Sequence, residues 1–373
     1  MPRFQYISGK RRVFVKLRQK GEISRAELAR QCGLTRPAVS AIVEELIADG
    51  YVRETGVGRS TGGKPPIMLE FCPRSRCAIG IDLGRDGKIE GVLCDLAGNV
   101  IASEQLPCEN DFEFILNSCV KVVKALIAAC KEEICDMLPS GIGVSVSAIV
   151  DAEQNEALDS STLDVSNRSF SRRLESLTAL PVKIERRPNA AALAEALSGA
   201  GENYRQLLYI TSGRGVGAGI VIDGEIFRGV HGFSGEIGEL LLPGVSGSLQ
   251  SGARPSAMLS AYENECGKKV SMDEFLKLFF EDDKTAVALV LHNARQLAYA
   301  AAVAANMFDP DVVVLGGEVL DFGEIHFEEF KKHFNILSQS CRLGRGAVVQ
   351  RSKFGRRGVA VGGAQLILDE LII

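Results

Sequence analysis

The stretch that most constrains this chain runs from residue 210 to residue 239 and alternates glycines with apolar residues. Its first four glycines are spaced two apart: Gly213, Gly215, Gly217 and Gly219. Because glycine has no Cβ, such a loop can turn its backbone N–H groups toward a phosphate or sugar oxygen. Asp223-Gly224 then predicts a two-residue hairpin, whereas a dinucleotide fold needs a helix there. A phosphate loop and a purely structural glycine-rich turn both remain open.

The length and composition describe a globular protein of two or three domains. The chain has 373 residues, of which 46% are hydrophobic and 24% are charged, which is enough to bury sizeable cores. No run of about 18 apolar residues occurs, so no membrane-spanning helix is expected. The basic N-terminus lacks the apolar segment of a secretory signal. Ten scattered cysteines form no C-x-x-C pair, which favours reduced thiols in the cytoplasm.

Charge is distributed unevenly along the chain. Residues 1–66 contain 13 Lys and Arg against 6 Asp and Glu, whereas the whole chain contains 43 against 47. The head is therefore basic and the remainder acidic. This asymmetry indicates a polyanion such as DNA as a partner for the head alone.

Residues 1–72 are predicted to form a winged helix-turn-helix domain. Apolar residues recur at helical spacing within residues 11–19, with the basic residues outside. Ser24 and Glu27 have the spacing of a capping box that opens a short helix. After a glycine turn, Thr35 is placed to cap a longer second helix.

The second helix puts four residues on its exposed N-terminal face, which enters the major groove in folds of this kind. A glycine-rich wing follows at residues 56–66, and its basic residues are placed to touch phosphates or the minor groove. The predicted DNA contacts are Arg36, Pro37, Ser40, Ala41, Arg59, Ser60 and Lys64. A structural three-helix bundle is the alternative, but charge, turn and wing together favour DNA binding.

The remainder begins with an apolar strand at residues 78–84 that ends in Asp-x-Gly. Two further strands, a helix from about residue 112 to 135 and a fourth strand follow. This β-β-β-α-β order is typical of the lobes of actin-like sugar kinases. The predicted fold class is α/β, a winged helix-turn-helix followed by two actin-like, ribonuclease-H-like lobes. Lobe 1 covers residues 77–187, lobe 2 covers residues 188–357, and a C-terminal helix at 358–373 packs back on lobe 1.

Four blocks in order make the chain resemble the ROK family (repressor, open reading frame, kinase), in its transcriptional-regulator branch. They are the wing at residues 60–66, the strand end at 80–84, the glycine-rich stretch at 210–239 and residues 309–317. The last block resembles the family's adenosine-side glycine pair. The resemblance implies a repressor that binds an operator in double-stranded DNA and senses a sugar or sugar phosphate. It also implies a homodimer or a dimer of dimers.

The segment that carries catalysis in the family's kinases is altered here. Those kinases have Glu-Asn-Asp before an alanine-rich helix, and the Asp is the general base for a sugar hydroxyl. This chain reads Glu185-Arg186-Arg187, and a guanidinium cannot accept a proton at physiological pH. We therefore predict no catalytic residue and no enzyme activity. The alternatives are an active sugar kinase with an appended DNA-binding domain, or a DNA-binding protein that senses no ligand.

The family's zinc ligands are also missing, so neither a metal nor another cofactor is expected. The ligand positions are occupied by Glu239, Leu249, Ser251 and Ser256, and Met258 replaces a sugar-contacting Glu.

The glycines of the kinase cleft are retained, but their neighbours differ from those of the kinases. The resemblance implies that two phosphate-binding loops have degenerated here; their residues are Asp82, Gly84, Gly213 and Gly215. The predicted effector contacts are Glu236, Gly235, His231, Arg186, Arg187 and Asn189. The two adjacent arginines make an anionic effector one candidate.

Overall fold

The computed structural model describes residues 8–58, 65–85, 87–134, 137–160, 162–241 and 247–372. The head comes first and contains three helices and three strands. They are α1 (Gly9–Lys20), β1 (Glu22–Ser24), α2 (Arg25–Cys32), α3 (Arg36–Ala48), β2 (Val52–Val57) and β3 (Ile67–Phe71). The strands form an antiparallel sheet in the order β1-β3-β2. The head is thus a winged helix-turn-helix.

The helix starts of the head agree with their N-cap signals, although the capping box is only half formed because the carboxylate of Glu27 accepts from Arg30 and Gln31. The hydroxyl of Ser24 accepts a hydrogen bond from the backbone N–H of Glu27 at 3.3 Å, and that of Thr35 accepts from Ala38 at 3.4 Å. One expectation for α1 is wrong, since its basic residues do not all lie outside. Arg11 is 3% exposed because its side chain is covered by the body.

Lobe 1 is built on a five-stranded mixed sheet. Its elements are β4 (Cys77–Arg85), β5 (Lys88–Asp95), β6 (Val100–Pro107), α4 (Phe112–Ile134), β7 (Ile142–Val146), β8 (Ile149–Asp151), β9 (Glu156–Asp159), α5 (Phe170–Thr178) and β10 (Val182–Arg186). The strand order is β10-β7-β4-β5-β6, with β4 parallel to β7 and antiparallel to β5. Apolar residues of α4 and α5 cover one face of this sheet, which matches the predicted β-β-β-α-β order.

Lobe 2 repeats this plan with a second five-stranded sheet. Its elements are α6 (Arg187–Ser198), β11 (Gln206–Ser212), β12 (Val216–Ile222), β13 (Glu225–Ile226), α7 (Leu249–Ala253), α8 (Pro255–Cys266), α9 (Met272–Phe280), α10 (Lys284–Phe308), β14 (Val312–Gly317), α11 (Gly323–Leu337), α12 (Gln339–Arg342) and β15 (Val348–Arg351). The strand order is β13-β12-β11-β14-β15. A final helix, α13 (Gly358–Glu370), packs against α6 and against β4 and β7 of lobe 1.

The helices α6 and α13 approach their neighbours closely because small residues line the contacts. A Cβ on Gly362 would lie 1.8 Å from the carbonyl oxygen of Ala190, and one on Gly80 would lie 1.8 Å from that of Ala360. No larger side chain fits at either crossing. The two helices therefore pack closely against each other. The start of α6 lies in the cleft between the two lobes.

The glycine-rich stretch divides into strand, hairpin and loop. Gly217 and Gly219 lie within β12 rather than in a loop, and a Cβ on Gly219 would lie 2.3 Å from the carbonyl oxygen of Pro188. These two glycines therefore let α6 pack on the sheet. Asp223 and Gly224 have φ angles of 55° and 82°, which confirms the predicted hairpin turn. Within the described ranges, no helix is long and apolar enough to cross a membrane.

Candidate effector site

The N-terminal end of α6 meets the loop after β13 through a buried ion pair. Arg186 ends β10, and its guanidinium donates a hydrogen bond to the carboxylate of Glu236. The same guanidinium donates to the carbonyl oxygens of Gly232, at 3.3 Å, and Ser234. Arg186 is buried, whereas Glu236 is partly exposed. Arg186 thus fastens the loop between residues 227 and 240 to lobe 1 at three points.

A second carboxylate, that of Glu185, organises the residues around this pair. It accepts hydrogen bonds from the backbone N–H of Arg186 at 2.8 Å, from Nδ2 of Asn189 at 2.9 Å and from Nε of Arg228 at 2.7 Å. Three donors around one buried carboxylate fix its position and compensate its lost hydration. Sequence reasoning missed Glu185 and Arg228, although an arginine directly after the predicted hairpin was a usable signal.

Arg187, which the family resemblance aligns with the kinases' general base, forms an ion pair that joins α6 to lobe 1. Arg187 donates from Nε and Nη2 to the two carboxylate oxygens of Asp82, at 2.7 Å and 3.0 Å. Asp82 is fully buried on β4. A two-point contact of this kind is the strongest form of an arginine–carboxylate pair. Both carboxylate oxygens of Asp82 are therefore already bound by a side chain of the protein.

Two buried polar atoms in the same region have no protein partner among the described residues. They are Oδ1 of Asn189 and Oγ of Ser234. Nearly all buried polar atoms in folded proteins make hydrogen bonds, so an exception calls for an explanation such as a ligand. An amide oxygen and a hydroxyl are groups that bind sugar hydroxyls.

A cavity of about 430 Å³ opens beside Ser234, between the loop after β13 and the end of α10, and Asn189 is not part of its wall. Gly235, Glu236 and the exposed His231 lie on its wall. Most of the remaining wall is apolar and includes Phe227, Phe233, Val303, Met307 and Phe308. Gly235 has φ of 89°, and a Cβ there would lie 2.1 Å from the carbonyl oxygen of Ala218. Only glycine fits at this bend.

The degenerate phosphate loops face each other across the two lobes. Arg214, between Gly213 and Gly215, donates from Nη1 to the carbonyl oxygen of Gly84 at 2.8 Å. Arg214 and Gly84 both line a second cavity of about 350 Å³. The turn between β11 and β12 thus contacts the end of β4 in lobe 1 directly, through the side chain of Arg214.

The residues that the family resemblance aligns with zinc ligands make packing and surface contacts. Leu249 and Met258 are buried in the apolar core of lobe 2. Glu239 is exposed, and the hydroxyl of Ser251 donates to the carbonyl oxygen of Ser248 at 2.6 Å. In the part of the chain that the structure describes, no group of three or more His, Cys, Asp or Glu side chains could hold a metal ion.

The predicted DNA-binding face lies at the start of α3. Arg36, Pro37 and Ala41 are exposed, and Ser40 is partly exposed. This places all four on the side of α3 that faces away from the head's core. The predicted wing contacts Arg59, Ser60 and Lys64 lie outside the described residues.

These features define a class: a winged helix-turn-helix regulator whose body has the two-lobed sugar-kinase fold. The ROK family profile matches residues 78–370, and a winged helix-turn-helix DNA-binding profile matches residues 17–53. The chain belongs to the ROK family, as its motifs predicted.

Relatives place the chain among the regulators of the family. It is 31% identical to the putative xylose repressor of Caldicellulosiruptor sp. strain Rt8B.4, covering 94% of this chain and 92% of that protein. It is 26% identical to the DNA-binding transcriptional dual regulator NagC of Escherichia coli K12, covering 94% and 89%. A solved ROK family transcriptional regulator, a homolog of the E. coli MLC protein, superposes with a TM-score of 0.79 at 24% identity, covering 98% and 96%. The chain is a DNA-binding transcriptional regulator.

Proposed function

We propose that this regulator is a repressor whose cleft binds a neutral sugar without phosphorylating it. The observation that carries the sugar site is the pair of unpartnered buried atoms, Oδ1 of Asn189 and Oγ of Ser234. Arg186 donates a hydrogen bond to the carbonyl oxygen of Ser234, and Nδ2 of Asn189 donates to the carboxylate of Glu185, so both residues are held in place. A bound sugar hydroxyl would donate to the amide oxygen and complete its hydrogen bonding.

The charge balance of the cleft favours a neutral ligand over a sugar phosphate. The three guanidinium groups of Arg186, Arg187 and Arg228 pair with the carboxylates of Glu236, Asp82 and Glu185. A phosphate would have to take a guanidinium from a carboxylate, which would leave that carboxylate desolvated and unpaired. A sugar hydroxyl needs no such exchange.

The same pairs support a body that does not transfer phosphate. By the family resemblance, Arg187 stands where the kinases have their base, and it contacts the buried carboxylate of Asp82. Using Asp82 as the base would require breaking a two-point ion pair whose carboxylate is fully buried. Neither residue can therefore accept the sugar's proton.

Calorimetry tests the ligand class directly. Relatives are named as xylose and N-acetylglucosamine repressors, so the panel contains D-xylose, N-acetylglucosamine, D-glucose and glucose 6-phosphate. We expect a neutral sugar to bind and to bind about fivefold to tenfold more weakly to Ser234→Ala, which loses one hydrogen bond. Ser251→Ala, on the surface of lobe 2, is the matched control. No binding by any neutral sugar, or tighter binding of the phosphate, would exclude this ligand class.

An ADP-release assay with the same sugars tests for residual kinase activity. We expect no turnover above the protein-free rate with ATP and magnesium. Turnover that disappears in Glu236→Ala would instead establish the alternative, a sugar kinase with a DNA-binding head.

Two heads on a symmetric operator complete the proposal. A dimer would place two α3 helices on half-sites one or more helical turns apart. Sedimentation of the protein with a selected palindromic duplex should give two chains per duplex. A one-to-one complex at saturation would contradict the dimer.

A further inference from the structure

The joint between the head and the body is centred on a buried arginine of α1. Arg11 donates from Nη2 to the carboxylate of Asp369 on α13, at 2.7 Å, and to the carbonyl oxygen of Gly224, at 2.6 Å. Its Nη1 lies 3.5 Å from the carboxylate of Glu225. Asp369 belongs to the helix that packs on lobe 1, whereas Gly224 and Glu225 form the hairpin of lobe 2. One side chain of the head therefore bonds to both halves of the body.

About two turns further along α1, two more side chains reach the body. Arg18 donates to the carbonyl oxygen of Leu197, near the end of α6, and Gln19 donates to that of Glu202 at 2.7 Å. Burial lowers the pKa of Arg18 to about 10, so it stays charged at neutral pH. The far end of α6 thus touches the head.

Apolar contacts make the joint continuous rather than a flexible tether. Val13, Phe14 and Leu17 of α1 belong to one buried cluster that also contains Leu368 and Ile372 of the body. The hydroxyl of Tyr51 adds a hydrogen bond to the carbonyl oxygen of Leu371 at 3.4 Å. The head therefore cannot turn on the body without moving these contacts.

Two of the elements that contact α1, namely α6 and the hairpin of lobe 2, also reach the candidate effector site. α6 starts at Arg186 and Arg187 in the cleft and ends beside Arg18, a span of about 18 Å for a 12-residue helix. The hairpin that holds Arg11 leads directly into Arg228, which pairs with Glu185. A change in the cleft therefore has two short covalent routes to the same helix.

We propose that Arg11 and Arg18 are positioning residues through which the state of the cleft sets the orientation of the DNA-binding head. This inference rests on the proposed sensing role of the cleft. If the hairpin moves relative to α13, Arg11 must give up either Gly224 or Asp369, since one guanidinium cannot follow both. Leaving Asp369 buried and unpaired is costly, so α1 and the attached head shift instead. A contact that served only to hold the head would need an acceptor on one lobe, not on two.

A double-mutant cycle on DNA affinity tests this coupling without a sugar. The probe is a duplex that the wild-type protein selects from a random-sequence pool. Glu236→Gln disturbs the cleft by removing the charge that Arg186 pairs with. It is combined with Arg11→Met, with Arg11→Lys, and with the control Arg12→Met, whose guanidinium bonds only to Cys32 within the head among the described contacts. Arg11→Lys keeps a positive charge beside Asp369 but loses the planar fork, and it decides the test if Arg11→Met does not fold.

We expect Glu236→Gln to change DNA affinity at least about fivefold in the wild-type and Arg12→Met backgrounds, and less than about twofold with either change at Arg11. Arg18→Met should reduce the coupling in the same direction. The inference is overturned if Glu236→Gln leaves wild-type affinity unchanged, or if the change is as large with Arg11 replaced as without.

A parallel series with D-xylose separates this inference from the proposed function. If the sugar alters the DNA affinity of the wild type and of Arg11→Lys equally, the sensor stands and the coupling role of Arg11 is wrong. If no sugar acts but the cycle is non-additive, the coupling stands and the sugar-sensing role fails.

Discussion

The interlobe cleft and the joint between head and body are both held by arginine–carboxylate pairs, but the pairs connect different things. In the cleft, Arg186 and Arg228 each fasten one loop of lobe 2 to the end of β10. In the joint, Arg11 bonds at once to α13 and to the hairpin of lobe 2. In the cleft, each arginine is therefore paired with a carboxylate close by, and a ligand can replace one of these contacts. In the joint, one arginine connects the head, α13 and the hairpin, so we expect a movement of one of them to affect the others.

The largest effect that separates buried from exposed pairs is expected for Arg187→Ala. This change leaves the carboxylate of Asp82 fully buried without its guanidinium partner, which should lower the free energy of unfolding by about 3–5 kcal/mol. Urea denaturation measures the loss. The control is Arg205→Ala, since the pair of Arg205 with Asp223 has an arginine that is 76% exposed. It should cost less than about 1 kcal/mol, and equal losses would contradict the importance of burial in the cleft.

Acid should weaken the protein through the core of lobe 2 as well as through the ion pairs. His326 is buried, its Nε2 contacts Oδ1 of Asn293 at 2.9 Å, and burial lowers its pKa to about 4. The unfolded chain binds this proton below about pH 6.5, so the contribution is complete above that pH and is lost as the pH falls toward 4.

His326→Gln stays neutral and should remove this part of the acid sensitivity. We expect the variant to gain about 3 kcal/mol relative to the wild type between pH 7 and pH 4. Urea midpoints at the two pH values measure it. A constant difference between the two proteins would show that the acid response lies elsewhere, for example in the cleft and the joint.

The coupling proposed between the cleft and the joint requires a close fit of α6 against β12. In Gly219→Ala, the added Cβ would lie 2.3 Å from the carbonyl oxygen of Pro188 and 2.6 Å from the Cβ of Ala192. Overpacking of this kind costs about 1–3 kcal/mol. Gly358→Ala is the control, because its added Cβ would meet nothing closer than 3.5 Å. Thermal melts that do not distinguish the two variants would mean that α6 is loosely held.

The smallest expected change concerns the DNA face rather than the body. Arg36→Ala should weaken binding to the selected duplex by about tenfold, the usual cost of one base or phosphate contact. Arg295→Ala, on the surface of lobe 2 and paired with Glu329, is the control. Anisotropy titrations at one salt concentration compare the two. Equal affinities would move the DNA contact away from the start of α3.

Local sequence signals predicted the elements whose ends carry their own chemistry. Ser24 and Thr35 cap helices, and Asp223-Gly224 turns a hairpin, because each of these residues satisfies or bends the backbone beside it. The family motifs likewise placed Arg186 and Arg187 before an alanine-rich helix, which is α6.

The contacts between distant segments could not be predicted in this way. Arg11 looked like a surface residue on a basic helix, because its partner Asp369 lies 358 positions away. Gly217 and Gly219 looked like part of a phosphate loop, because the helix that packs on them is not visible in their own spacing. The short strand β1 contains three residues, too few to show an alternation.

We propose above all that a sugar in the cleft changes the affinity of the protein for DNA without being phosphorylated. The most direct measurement is the anisotropy of a labelled, selected duplex titrated with the protein at increasing D-xylose or N-acetylglucosamine, with no nucleotide present. We predict that one of these sugars lowers the affinity at least about tenfold. Its half-effect concentration should match the calorimetric Kd and rise in Ser234→Ala. Unchanged DNA affinity at saturating concentrations of every sugar in the panel would contradict the claim.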